Sequence, residues 1–253
     1  MNQKPNPDPA DTKSGSSHLP SRQLSLDMGS KALHDAIHQL SVAERDEQLT
    51  QITVSGSAGQ HSALMRLDHP IRITMEGPLG DYAFAFNSQA DIRTTGDVGH
   101  GVAEGMVSGA VRIRGDAGVG AGAAMMGGTL AIYGTVGNRC GAAMRSGGIF
   151  VRGNVGDEAG VGALGGMIVI GGDAGHNLGD AMSNATVFIR GSAASLAAGV
   201  TEAPLRKREQ LRLGLLLINA SIRGDAKEFR RIVPAAMLEA EASERGELSP
   251  NWR

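Results

Sequence analysis

Asp97, Asp116 and Asp173 recur at multiples of 19 residues. Carboxylates on neighbouring coils of a regular stack could serve as the acid and base of a polysaccharide lyase or hydrolase. The same column continues as Thr135 and Asn154. Asp, Asn and Thr are the side chains that hydrogen-bond turns, so turn chemistry is the stronger reading. His100 and His176 share a second column four intervals apart. That is roughly 19 Å at strand spacing, too far to ligate one metal. His34 and His38 stand at i,i+4 without the intervening Glu of a metalloprotease helix, a weak signal. Met106, Met125, Met144 and Met182 form a third column, which suits interior packing better than a metal stack. Cys140 shares its column with Val102, Ala121, Ala159 and Leu178, and reads as a small buried residue rather than a nucleophile. Arg114, Arg152 and Arg190 align as a basic stripe, most simply a solvated face or a partner contact. The run GDAGVGAG at residues 115–122 resembles a dinucleotide fingerprint only in its glycines, with no βαβ unit around it. No nucleophile–base pair, metal cluster or phosphate loop stands out. The chain does not look like a self-sufficient catalyst.

What must position these columns is a repeat. Of 37 glycines, 26 fall within residues 96–190. Cutting before Gly96, Gly115, Gly134, Gly153 and Gly172 gives five units of 19 residues without a slip. The fourth place of each unit is also glycine: Gly99, Gly118, Gly137, Gly156 and Gly175. Degenerate copies flank the series at Gly77 and Gly191, as terminal repeats of a solenoid tend to do. Glycine recurs where a chain turns at positive φ, or where two backbones approach too closely for a side chain. These ten coil glycines are therefore candidate structural positions, not catalytic ones.

Each unit ends in a β-rich run with apolar residues at its sixteenth and eighteenth places, such as Val111/Ile113, Leu130/Ile132 and Ile168/Ile170. That is period-two alternation with one face buried. The remainder is a glycine-kinked return with room for a second short strand. Such a unit cannot bury its own face and must stack. Strand–crossover–parallel strand connections are right-handed in about 98% of cases. The expected fold is an all-β solenoid, a right-handed parallel β-helix of 19-residue coils. A left-handed helix built on hexads competes, but the hexad pattern is absent.

Residues 1–22 are polar and expected to be disordered, and 23–76 should hold a helix and lead-in strands. Leu24, Leu26, Met28, Leu33, Ile37 and Leu40 suit an amphipathic helix over 24–41. QITVSG, HSALMRL, IRITME and YAFAFN look like strands leading into the stack. The β-helix itself should span 77–200. Residues 201–253 should form helices that cap the last coil or dock a partner, one opening at Pro204 and one running from Pro234 to about Arg245.

Composition narrows the function classes. Aromatics are 3% and formal net charge is -2, which argues against a stacking or electrostatic nucleic-acid binder. A single Cys excludes an internal disulfide and a thiolate-ligated cluster held by this chain alone. No apolar run reaches the roughly 20 residues of a membrane-spanning helix, and a soluble cytoplasmic protein is expected.

The repeat G-x-x-G-x-x-x-G before an apolar strand resembles the GXGXG domain. That domain is the C-terminal β-helix of the glutamate synthase large subunit, and is similar to one of the subunits of formylmethanofuran dehydrogenase. The free-standing form in N-methylglutamate synthase-type complexes is closer. The segments that carry the likeness are ALHDAIH, GQHSALMRLDHPIRI, GVAEGMVSGAVRIRGDAG, LGDAMSNATVFIRGSAASL and DAKEFRRIV, spread over roughly residues 32–233. YAFAFNSQA and the long polar N-terminal tail depart from the pattern. The resemblance implies a non-catalytic scaffold subunit. Its partners would be a class II amidotransferase-like subunit and an FMN/iron–sulfur subunit, with no cofactor and no catalytic residue in this chain. N-methylglutamate formation from glutamate and methylamine is the favoured reaction. A formylmethanofuran dehydrogenase-like scaffold and a β-helix carbohydrate-active enzyme are the rival readings.

Overall fold

A computed structural model describes residues 23–28 and 51–247. Nine strands stack in parallel in chain order: β1 (Gln23–Asp27), β2 (Gln51–Ser55), β3 (Arg72–Met75), β4 (Asp91–Thr94), β5 (Ala110–Ile113), β6 (Thr129–Ile132), β7 (Gly148–Val151), β8 (Met167–Ile170) and β9 (Thr186–Ile189). From β3 to β9 each residue pairs with the one 19 places later, so Ile92 meets Val111, then Leu130, Ile149, Ile168 and Val187. The result is a right-handed parallel β-solenoid of about seven coils, as the repeat predicts. The sixteenth and eighteenth places face the interior and are buried in every coil from β4 on. A thinner ladder runs along the third place, where Leu79, Val98, Ala117, Val136, Val155, Ala174 and Ala193 make single-residue parallel bridges.

The return arm holds no regular second strand. Its sixth, eighth and tenth places have positive φ in coil after coil: Tyr82, Phe84 and Phe86 at 58–60°, then Gly101, Ala103 and Gly105 at 55–64°. Their N–H groups point alternately up and down the stack. Gly101 donates to Val119 O, Ala103 to Ala83 O, and Gly105 to Ala123 O. Two expected lead-in strands, HSALMRL and YAFAFN, are such arms and not strands, with Ser62, Leu64 and Arg66 also at positive φ. The alternation in YAFAFN is one of residue size that burial does not follow: Ala83, Phe84 and Ala85 are all fully buried, while Tyr82 and Phe86 are exposed.

The expected helix over 24–41 is also corrected at its start. Residues 23–27 form β1, with Leu26 and Met28 packed against the core. Leu24, Leu26 and Met28 are spaced by two, the strand period, and pairing with β2 supplies the hydrogen bonds. The rest of that span, with His34 and His38, lies outside the described residues, as does the tail 1–22.

All ten glycines of the first and fourth places have ordinary φ and lie against the preceding coil. A Cβ on Gly153 would stand 2.9 Å from the carbonyl carbon of Gly134, and one on Gly118 would stand 2.8 Å from that of Gly99. Backbone proximity, and not backbone conformation, is what excludes side chains there.

After β9 the chain forms β10 (Val200–Ala203), helix α1 (Lys207–Asn219), a short 3-10 turn (Ala226–Glu228), β11 (Arg230–Pro234) and helix α2 (Ala235–Glu247). The last coil edge is closed by a strand: β11 pairs antiparallel with β9, and β10 with β11. α1 lies across the outer face of the sheet instead of capping its end. Leu213 and Leu217 pack with Ala131, Phe150, Val169 and Phe188 in a second core. Arg231, only 1% exposed, pairs with Glu241 of α2 at 2.6 Å and Glu209 of α1 at 3.0 Å, and Arg206 also pairs with Glu241. This charge cluster ties the three C-terminal elements together.

Candidate functional site: polar ladders and an arginine cleft

The aspartate column is a hydrogen-bond ladder. Asp97 Oδ1 accepts from the N–H of Asp116 at 2.8 Å, and Asp116 Oδ1 from that of Thr135 at 2.6 Å. Asn154 and Asp173 do the same for Asp173 and Ser192. A second ladder runs along the fifth place. Asp81 accepts from the His100 N–H, His100 Nδ1 from the Val119 N–H, Asn138 from Asp157 and Asp157 from His176. Each of these Asp, Asn and His side chains satisfies the turn of the next coil, which explains why they interchange, while Thr135 turns its methyl group toward Gly153 and interrupts the first ladder. The carboxylates are not aimed at one another across a substrate gap.

The apolar columns are interior. Met106, Met125 and Met144 are fully buried and Met182 nearly so. Met106 and Met144 place their methyl groups beside Gly128 and Gly166, filling space the glycines leave. Cys140 is fully buried, and that desolvation pushes its thiol up to about 12, the opposite of an activated nucleophile. Among the described residues, no three His, Cys, Asp or Glu side chains gather to hold a metal ion. The run at 115–122 belongs to the turn and return arm of one coil.

The arginine stripe becomes something more specific. Arg114 and Arg152 line an open cleft of about 630 Å³ together with Arg93, Arg112, Tyr133, Asn219, Ser221 and Arg223. One wall is the outer sheet face, where Arg93 and Arg112 occupy the seventeenth place and Arg114, Tyr133 and Arg152 the nineteenth. The other is the turn after α1. Arg190 does not join the cleft. Its Nε donates to Gly171 O at 2.8 Å and its Nη1 to Arg223 O at 3.3 Å, bracing that turn. The Arg152 guanidinium lies over the Tyr133 ring, 5.9 Å from its centroid. Arg112 pairs with Asp91 at 2.5 Å. Arg93, Arg114, Arg152 and Arg223 have no carboxylate partner among the described residues.

The basic stripe read from the sequence contains Arg114 and Arg152 but not Arg93, Arg112 or Arg223. Arg93 and Arg112 stand in a basic seventeenth column that the same alignment of coils displays, while Arg223 joins only through the tertiary placement of α1. A second surface lies on α1 itself. Leu211, Leu215 and Ile218 are 73%, 65% and 74% exposed. Their i, i+4, i+7 spacing puts them on one outward face, opposite Leu213 and Leu217. No described helix is long and apolar enough to cross a membrane. No model of a known protein family matches the chain, and no curated protein matches it.

Proposed function

We propose that this chain is a non-catalytic scaffold subunit of a glutamate synthase-type complex, with N-methylglutamate synthase the favoured case. In that reading it bridges a class II amidotransferase-like subunit and a subunit that holds FMN and an iron–sulfur cluster. The observation that carries the scaffold role is the double-faced helix α1. Its inner leucines pack on the sheet, and its outer stripe of Leu211, Leu215 and Ile218 leaves three large apolar side chains in water. Clustered exposed apolar surface of this kind marks interaction sites. The aspartate and histidine columns support the same reading, because their groups are committed to joining coils. The choice of complex rests on the glycine repeat and its flanking segments.

Co-expression with the two partner subunits tests the proposal. The chain should co-purify with both, and alone it should show no flavin absorbance. Leu215→Glu should reduce capture of a partner while leaving the circular dichroism spectrum unchanged. Isolation of the chain from its native source as a discrete protein free of other subunits would overturn the reading.

A further inference from the structure

Arg93 of β4 and Arg112 of β5 are directly paired in register, and Arg114 follows immediately after β5. Like charges directly opposite one another on adjacent strands are destabilising. Asp91 answers only Arg112 within this group, and Arg72 also approaches it at 4.0 Å. Two coils further on, Arg152 returns at the same column as Arg114, about 9.6 Å away at two strand spacings, with Tyr133 between them. Arg223 faces this group from the opposite wall. Four guanidinium groups with no carboxylate partner among the described residues thus share one concave space. The fold does not require them, since the same columns carry Ala131, Phe150 and Gly171 in other coils.

We propose that this cleft binds a small soluble anion carrying two or more phosphoryl groups. The proposal does not depend on the scaffold reading. Three features select the ligand class. The lining cations are all arginine, whose planar fork of N–H donors matches phosphate oxygens two at a time. The volume, about 630 Å³, lies within the range of small-molecule sites. The charges converge from two walls on a short span, which suits the charge density of linked phosphoryl groups. An acidic peptide spreads one charge over each residue's length of chain. Tyr133 holds the Arg152 guanidinium over its ring by cation–π attraction, ordering that donor before the ligand arrives. Asn219 and Ser221 add neutral hydrogen-bonding groups on the far wall.

Calorimetric titration of the full chain with inorganic pyrophosphate, at about 0.15 M salt, tests this. Saturable binding below about 1 mM is expected. Arg114→Gln and Arg152→Gln should each weaken it about tenfold, and Arg145→Gln, outside the cleft, less than twofold. Melting temperatures of the variants should match the parent, and the titration of Arg223→Gln, which leaves the sheet untouched, provides an independent check on the second wall. ATP binding as tightly as pyrophosphate supports a site for the phosphoryl groups alone. ATP binding more tightly supports a nucleotide site. No saturable pyrophosphate binding, equal weakening by Arg145→Gln, or tighter binding of a glutamate-rich peptide would each overturn the proposal.

Discussion

Arg93 and Arg112 occupy, on β4 and β5, the outward position that Ala131, Phe150, Val169 and Phe188 occupy on β6 to β9. The interior neighbours hardly change along the same six strands. Ile92, Val111, Leu130, Ile149, Ile168 and Val187 are all fully buried. The solenoid interior is therefore indifferent to its outward column, and that column records what lies outside the sheet. Under α1 it is buried and apolar, and beyond the helix, beside the turn that follows it, it is basic. Within this column the change falls between Arg112 and Ala131, although Tyr133 and Arg152 of the next two coils still line the arginine cleft.

A charge placed under the helix should separate the two halves of the column most strongly. Phe150→Asp puts an unpaired carboxylate into the second core, where Phe150 is 2% exposed. A loss of about 4 kcal/mol or more is expected from burying that charge together with losing the ring. The loss should be uneven. Hydrogen exchange should show the amides of α1 deprotected while those of β3 to β5 keep their protection. Uniform loss along the whole stack would mean that the sheet depends on its helix, and the two halves are not independent.

A second test moves from the outward column to the contact between coils. Gly137 has ordinary φ, and a Cβ there would stand 3.0 Å from Gly118 C and from Val119 N. Gly137→Val should cost about 2 kcal/mol by overpacking one coil on another. Gly120 sits at φ +74° with open space around it, so Gly120→Ala should cost about 1 kcal/mol through conformation alone. Urea midpoints of the two variants check the order. A reversed order would mean that conformation, not proximity, places the coil glycines.

Cys140 probes the interior beneath the covered half. Its thiol is held near 12 in the folded chain, above its value when unfolded. Between about pH 9 and that value the unfolded chain has released the proton and the folded chain still holds it. Stability contributed by this group therefore falls as pH rises, by up to about 1.4 kcal/mol per pH unit, and is unaffected below about pH 8. The difference in stability between parent and Cys140→Ala, followed by urea melts from pH 8 to 11, isolates it from other titrating groups. A constant difference across that range would show that the thiol reaches water in the native state.

The sequence columns carried most of this architecture because a solenoid repeats one local decision. Once Gly96, Gly115 and Gly134 set the interval, the sixteenth and eighteenth places disclosed the interior, and the alternation of Asp, Asn and Thr disclosed a turn ladder. Legibility failed where two physical causes leave the same trace. YAFAFN alternates like a strand, yet its positive φ values make it a return arm. Leu24 and Met28, at i and i+4, fit a helical stripe, but Leu26 between them fits only a strand, and pairing with β2 decided. The candidate site failed for a different reason. Arg223 is 71 residues from Arg152 in sequence, and no interval links them. Only the path of α1 across the sheet brings its turn over the arginine columns.

The smallest effect is the sharpest test of the contrast. Arg112 and Asp91 are 25% and 30% exposed at their side chains, and they meet at 2.5 Å. A part-exposed pair of this kind is worth about 0.5–1 kcal/mol. Removing Arg112 also relieves its repulsion with Arg93 on the adjacent strand, which offsets part of that loss. Arg112→Ala should therefore shift stability by about 0.5 kcal/mol or less, against the large loss expected at Phe150, its counterpart two coils on. A loss above about 2 kcal/mol would place Arg112 among residues that break a buried network. The basic half of the column would then be as structural as the apolar half. A near-zero shift would show that the sheet neither needs nor resists Arg112, so that the basic half of the column, unlike the apolar half, is not held there by the stability of the fold.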